Sequence, residues 1–169
     1  TGIEKERAQK ELKRIQEKVR KEITTAKSIT IGGYSLEGSP MERTGFSCAL
    51  LSGGTIKCWG ADDYGQLGSG SRNSTTYTSI HSTQQQTGFF SREPVQVAGI
   101  SNATAISASR TGYYEHTCAI VDQGSVKCWG NDNYGQLGSG SRNTQTVKLA
   151  SGHQTSGTYY FSPTPVSVD

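Results

Sequence analysis

Four cysteines are the residues whose type and spacing most plainly imply chemistry. Cys48 and Cys58 are separated by nine residues, and so are Cys118 and Cys128. A structural zinc site is built from short Cys-x-x-Cys steps, which this spacing does not supply. An even number of cysteines at matched spacing favours disulfides, and hence an oxidising compartment. Three pairings are open to four cysteines. His81, His116 and His153 are isolated from one another, and neither H-E-x-x-H nor G-x-S-x-G occurs. The expectation is therefore no catalytic centre, no enzyme activity, no metal and no cofactor. Gly65, Gly68 and Gly70 lack the Lys-Ser/Thr that closes a phosphate-binding loop, so they read as a glycine-rich turn. The stretches Ala61–Gly65 and Asn131–Gly135 carry oxygens that suit calcium. They lack the alternating ligands and closing Glu of a helix–loop–helix site, and read better as Asx-type turns. Asn73-Ser74-Thr75 and Asn102-Ala103-Thr104 fit the glycosylation sequon, which has meaning only in a secretory eukaryotic setting.

Composition narrows the function class. Hydrophobic residues make up 32% of the 169 and glycine contributes 21, a lean chain rich in turns. The net charge of +3 is unevenly placed. Residues 1–27 hold nine Lys/Arg against five Glu, and the remainder holds eight against nine. The long C-terminal part thus lacks the basic face that phosphate backbones require, and no nucleic-acid partner is expected. No apolar run is long enough to span a bilayer, so a membrane partner enters only if an apolar segment precedes Thr1.

The elements that carry the cysteines come in two copies. Residues 57–73 read KCWGADDYGQLGSGSRN, and residues 127–143 read KCWGNDNYGQLGSGSRN. Each is preceded by a short apolar run and a glycine-bearing turn: CALL before Ser52–Gly54, and CAIV before Asp122–Gly124. Both segments predict β-hairpins. In each hairpin the two cysteines fall nearly opposite each other, so Cys48–Cys58 and Cys118–Cys128 are the preferred pairings, each pinning the register of a unit that is weak alone. Trp59 and Trp129 follow directly as bulky anchors, with Leu67 and Leu137 in the turn beyond. A polar stretch and an aromatic cluster come next. Each repeat then closes on matching residues, Phe90-Ser91 to Pro94-Val95-x-Val97 and Phe161-Ser162 to Pro165-Val166-x-Val168.

The N-terminal piece is different. From Glu4 to Ile23 it consists almost wholly of strong helix formers. Its apolar positions, with Leu12, Ile15, Val19, Ile23 and Ala26 at their centre, fall on one helical face. The spacing predicts an amphipathic helix docking on a sheet through those five residues; part of residues 1–21 is also open to reading as a fusion segment. "SITIGGY" after it predicts a short strand and turn.

The hairpin with its Cys-Trp-Gly, the Gly-Gln-Leu-Gly turn and the closing Pro-Val-x-Val resemble the repeat of the regulator-of-chromosome-condensation family, over residues 44–169 with gaps. The likeness is greatest to its cysteine-bearing bacterial extracellular forms. The resemblance implies blades of a β-propeller. A propeller closes with at least four blades and repeat arrays need about three units, so two copies predict local β-structure reused in another setting.

That setting is similar to a type IV pilin lacking its apolar N-terminal segment, in which ELKRIQEKVRKEITTAKSITIGG corresponds to the soluble half of the spine helix and its exit. The expected fold is α+β: a long N-terminal amphipathic helix packed on an antiparallel β-sheet built from two hairpin-containing repeats. The expected organisation is a helix at 1–27, a strand and linker at 28–43, and a β-rich head at 44–169 divided into 44–109 and 110–169. The pilin resemblance implies a structural subunit of an extracellular, cell-surface bacterial pilus used in adhesion or surface motility. Its partners would be other copies of itself in a filament, joined through the missing N-terminal helix, and a surface receptor or substratum. The alternative is a protein-binding repeat module, a fragment of a larger β-propeller.

Overall fold

A computed structural model describes residues 6–7, 9–11, 13–17, 25–33, 45–78, 85–109, 114–141 and 160–169. Nine strands run through them: β1 (Ala26–Gly32), β2 (Phe46–Leu51), β3 (Ile56–Ala61), β4 (Ser74–Thr78), β5 (Gln85–Gln96), β6 (Ala105–Ala108), β7 (His116–Val121), β8 (Ser125–Asn131) and β9 (Phe161–Ser167). They form two antiparallel sheets, in the orders β1-β2-β3-β5-β4 and β6-β7-β8-β9.

Each sheet has the same four-strand plan. The hairpin β2–β3 pairs Cys48 with Cys58, and β7–β8 pairs Cys118 with Cys128. Both pairs are disulfide-bonded across Cα separations of 4.1 Å, the close approach of a non-hydrogen-bonded cross-strand pair. The turns differ. Ser52–Gly54 closes with Gly54 at φ +79°, whereas Asp122, Gln123 and Gly124 all have positive φ in a 3-10 turn. The outer strands share an irregularity. Cys58 pairs with Val95 and Gly60 with Ser91, and in the second sheet Cys128 pairs with Val166 and Gly130 with Ser162. Two extra outer-strand residues lie within each such step, and that bulge accommodates Pro94 in one sheet and both Pro163 and Pro165 in the other. The polar stretch within the first repeat hides β4, which pairs with the first half of β5. Its Thr- and Tyr-rich composition favours a strand.

The expected α+β arrangement is overturned. Helical residues do occur within 6–17, but every one whose exposure is described is exposed, and Ile15 is 50% accessible. Ala26, expected as the last helical contact, is an exposed residue of β1, paired with Leu51. Leu12, Val19 and Ile23, the other expected contacts, lie outside the described residues. The physical reason is that the sheets bury each other. One core cluster draws Phe46, Cys48, Leu50, Ile56, Cys58, Leu67 and Val97 from the first repeat, and Ala119, Val121 and Trp129 from the second. Helical periodicity reports only that a segment can present an apolar stripe, not what that stripe meets. With the apolar sheet faces already in mutual contact, no helix is needed to shield this core from water.

Candidate interaction site at the blade seam

Side chains alternate across a strand, so each sheet has two faces. Directly paired residues share a face. In the first sheet Phe46, Cys48, Leu50, Ile56 and Cys58 lie on one face, and all are buried. In the second sheet the opposite face carries Thr117, Ala119, Val121 and Trp129, also buried, with Ile106 and Ala108 of β6 completing it. The two faces meet in a seam.

The turn after β3 locks the seam. Gly65 N–H donates to the Asp62 carbonyl at 3.2 Å, and Gly68 N–H donates to the Gly65 carbonyl at 3.0 Å. Asp62 sits inside this turn. Its Oδ1 accepts the Leu67 N–H at 3.1 Å, and its Oδ2 accepts the Asn73 N–H at 2.5 Å and the Asn73 side-chain amide at 2.7 Å. Burial pushes the Asp62 carboxyl up to about 6, against the lowering effect of those hydrogen bonds. The Asp62 oxygens are thus occupied by N–H donors that shape the loop. Asn73, the first sequon asparagine, spends its amide in the same network, donating also to Ser69 Oγ at 2.8 Å.

The shaped turn plugs into the second sheet. Trp129 Nε1–H donates to the Gln66 carbonyl at 3.0 Å, and the Gln66 amide donates to buried Glu115. Leu67 is fully buried beside them. Gly68 lies against the indole so closely that a Cβ there would stand 2.7 Å from Trp129 Nε1, and its φ is +69°. At the inner edge of the seam Ala108 N–H donates to Thr30 Oγ1 at 3.0 Å. On the outer side the Arg72 guanidinium stacks 3.6 Å over the Phe89 ring and reaches Phe161 of the second sheet at 5.6 Å.

The second repeat makes the same turn, and among the described residues it is more open. Asp132 Oδ1 accepts the Leu137 N–H at 3.1 Å, and Gly138 N–H donates to the Gly135 carbonyl at 3.1 Å. Leu137 is buried within its own repeat. But Gly138 is exposed where Gly68 is buried, Gln136 is half-buried where Gln66 is fully buried, and Tyr134 is 72% accessible. The Gln136 amide, with no carboxylate across a seam, donates to Asn131 Oδ1 at 2.9 Å. The receiving face shows the converse. Trp129 is fully buried, whereas Trp59 is only half-buried, and Ile29 and Ile31 on that face are 60% and 63% accessible.

Among the described residues no group of three His, Cys, Asp or Glu is placed to hold a metal ion, and no helix is long and apolar enough to cross a membrane. His116 is half-buried, with its ring Nδ1 at 3.1 Å from the Tyr114 carbonyl, while His81 and His153 lie outside the described residues. The plug and socket residues Gln66, Gly68 and Glu115 were not singled out as site residues by sequence reasoning. The strict repetition of Gly-Gln-Leu-Gly was the available signal.

Comparison with known proteins accords with this geometry. The family model described as the regulator of chromosome condensation (RCC1) repeat matches residues 44–66 and 104–136. The two stretches are similar to the RCC1 repeat. The human E3 ubiquitin-protein ligase HERC2 is 34% identical over 98 residues, and so is its mouse counterpart. That alignment covers 58% of this chain and 2% of the length of each relative. Among solved structures, the crystal structure of Kap60 bound to yeast RCC1 (Prp20) contains a chain that superposes with a TM-score of 0.50 at 18% identity, over 85% of this chain and 26% of that one. The two sheets are therefore propeller-like blades.

The pilin expectation is overturned with the α+β fold on which it rested. Blades built from RCC1-type repeats replace the helix-on-sheet head, so neither a pilus subunit for adhesion or motility nor filament assembly through an N-terminal helix is supported.

Proposed function

We propose that this chain is a protein-binding repeat module built of β-propeller blades, acting by contact rather than by catalysis. The observation that carries this reading is the contrast between the two tryptophan faces among the described residues. Trp129 is sealed under the Gln66–Gly68 turn, while its counterpart Trp59 is half-buried and Ile29 and Ile31 beside it are exposed. An exposed apolar patch of this kind suits a protein partner. The two disulfides support placement in an oxidising compartment.

The test is photo-crosslinking in the source cells, with a photoreactive residue at position 31 or, as a control, at exposed Gln123. The expected result is a protein adduct from position 31 that is absent from position 123. Adducts to nucleic acid, or equal yields from both positions, would contradict the proposal.

A further inference from the structure

The second repeat carries a tyrosine pair whose equivalent the first repeat lacks in sequence. Tyr134, in the turn after β8, and Tyr114, two residues before β7, meet edge to face with ring centroids 4.9 Å apart and planes at 79°. Their hydroxyl oxygens stand 3.2 Å apart. Both residues are exposed, Tyr134 at 72% and Tyr114 at 39%. The backbone beneath each ring is held. The Tyr134 N–H donates to Gln136 Oε1 at 2.9 Å, and the Tyr114 carbonyl accepts the Ser109 hydroxyl at 3.3 Å. Tyr64 holds the place of Tyr134 in the first repeat, but Thr44 stands in the place of Tyr114. The repeat therefore forms without such a pair, and an exposed edge-to-face contact adds little to a core that closes without it.

We propose that Tyr114 and Tyr134 form an oxidative modification site, at which a peroxide-driven one-electron oxidant couples the two rings into a dityrosine. The inference stands on this pair and not on the protein-binding reading. Each phenol gives up one electron and one proton, leaving a phenoxyl radical shared between the oxygen and the ring carbons beside it. A Cε carbon of one ring then bonds to a Cε carbon of the other. The hydrogen on each of those carbons moves to its phenol oxygen, so both hydroxyls survive. Two electrons and two protons leave in all, and hydrogen peroxide takes them up to become two waters. The hydroxyl contact sets the reactive edges side by side, because each Cε neighbours the oxygen-bearing carbon. The ring torsion of tyrosine is soft, so rotation of exposed Tyr134 out of the edge-to-face arrangement brings the Cε atoms together. Coupling within the pair is then effectively unimolecular, whereas coupling between copies waits on collision. The product ties the chain ahead of β7 to the turn after β8, 20 residues on. Unlike the Cys118–Cys128 bond of the same repeat, it resists thiols. Disulfides and peroxide chemistry belong to the same oxidising setting.

Treatment of the dilute, disulfide-bonded full chain with a peroxidase and hydrogen peroxide tests this. The expected product is a single-chain species with dityrosine fluorescence and a mass lower by two hydrogens. Trypsin cuts after Arg110, Lys127 and Arg142, which separates Tyr114 from Tyr134. After thiol reduction the peptides 111–127 and 128–142 should stay joined, with fragmentation placing the link at Tyr114 and Tyr134. Tyr114→Phe and Tyr134→Phe should each lower the yield of this product at least about tenfold. Tyr64→Phe should leave it unchanged. Each change removes one hydroxyl and keeps the ring, and circular dichroism checks that the variants fold. Absence of the cross-link, a main product that joins two copies, a link at Tyr113 or Tyr64, or full yield from either the Tyr114 or the Tyr134 variant overturns the proposal.

Discussion

At the scale of single residues, the seam depends on what is missing at position 68. Gly68 combines φ +69° with an indole nitrogen 2.7 Å from where a Cβ would lie. Gly68→Ala therefore meets both a conformational penalty and a steric one, and should destabilise by roughly 2–4 kcal/mol. Gly138→Ala shares the φ of about +66° but meets only a Val168 methyl at 3.1 Å, so its effect should be about half as large. Urea denaturation of the two variants checks the difference, and equal losses would contradict the seam. Asp62 allows a second prediction. Its carboxyl is held at about 6 by burial, above the ordinary aspartate value of 3.8, so the folded state binds more protons than the unfolded one between those values. Its contribution to stability is therefore fully present below about pH 4 and is lost as pH rises through about 6. Carbon-13 NMR of the Asp62 carboxyl should show a midpoint near 6, and a midpoint below 4 would show that its three N–H donors outweigh burial. None of this is legible in the sequence. Asp62 and Asp132 occupy closely similar motifs that differ at Ala61/Asn131 and Asp63/Asn133, and neither shows how deeply its carboxyl is packed.

At the scale of elements, the hairpins are the part the sequence displays most openly. Turn residues at Ser52–Gly54 and Asp122–Gly124 between apolar runs set the strand ends, and the cysteine spacing then places Cys48 opposite Cys58. A disulfide closing so short a loop is worth about 3 kcal/mol by the chain-entropy relation. Replacing Cys48 and Cys58 together by Ala should lower stability by that amount, measured by denaturant unfolding of oxidised protein. The face that each hairpin buries could not be read. In β2, Cys48 and Leu50 point one way and Ala49 and Leu51 the other, and all four are apolar. When both faces are apolar, alternation cannot name the core side. The N-terminal helix therefore looked like a necessary cover, when the second sheet was the cover. β4 was missed because Ser74–Thr78 reads as polar, although β-branched Thr and aromatic Tyr favour a strand that pairs along its backbone.

At the scale of the whole molecule, stability resides in the seam between blades and not in the helical piece. The described helical residues are exposed, so deleting residues 1–23 should leave the unfolding free energy within about 0.5 kcal/mol of the full chain. A thermal melt measures this directly, and a large loss would restore the helix to a packing role. The duplicated motif was legible as a repeat. Its polarity was not, because plug and socket differ only in what lies across from them. The central claim, that Trp129 is sealed and Trp59 less so among the described residues, is tested most directly by exchange of the two indole N–H protons, followed by NMR on the dilute, disulfide-bonded chain. The Trp129 proton, donated to the Gln66 carbonyl at 3.0 Å in a buried site, should exchange only with opening of the seam, while the Trp59 proton exchanges rapidly. Equal exchange of the two would contradict the account.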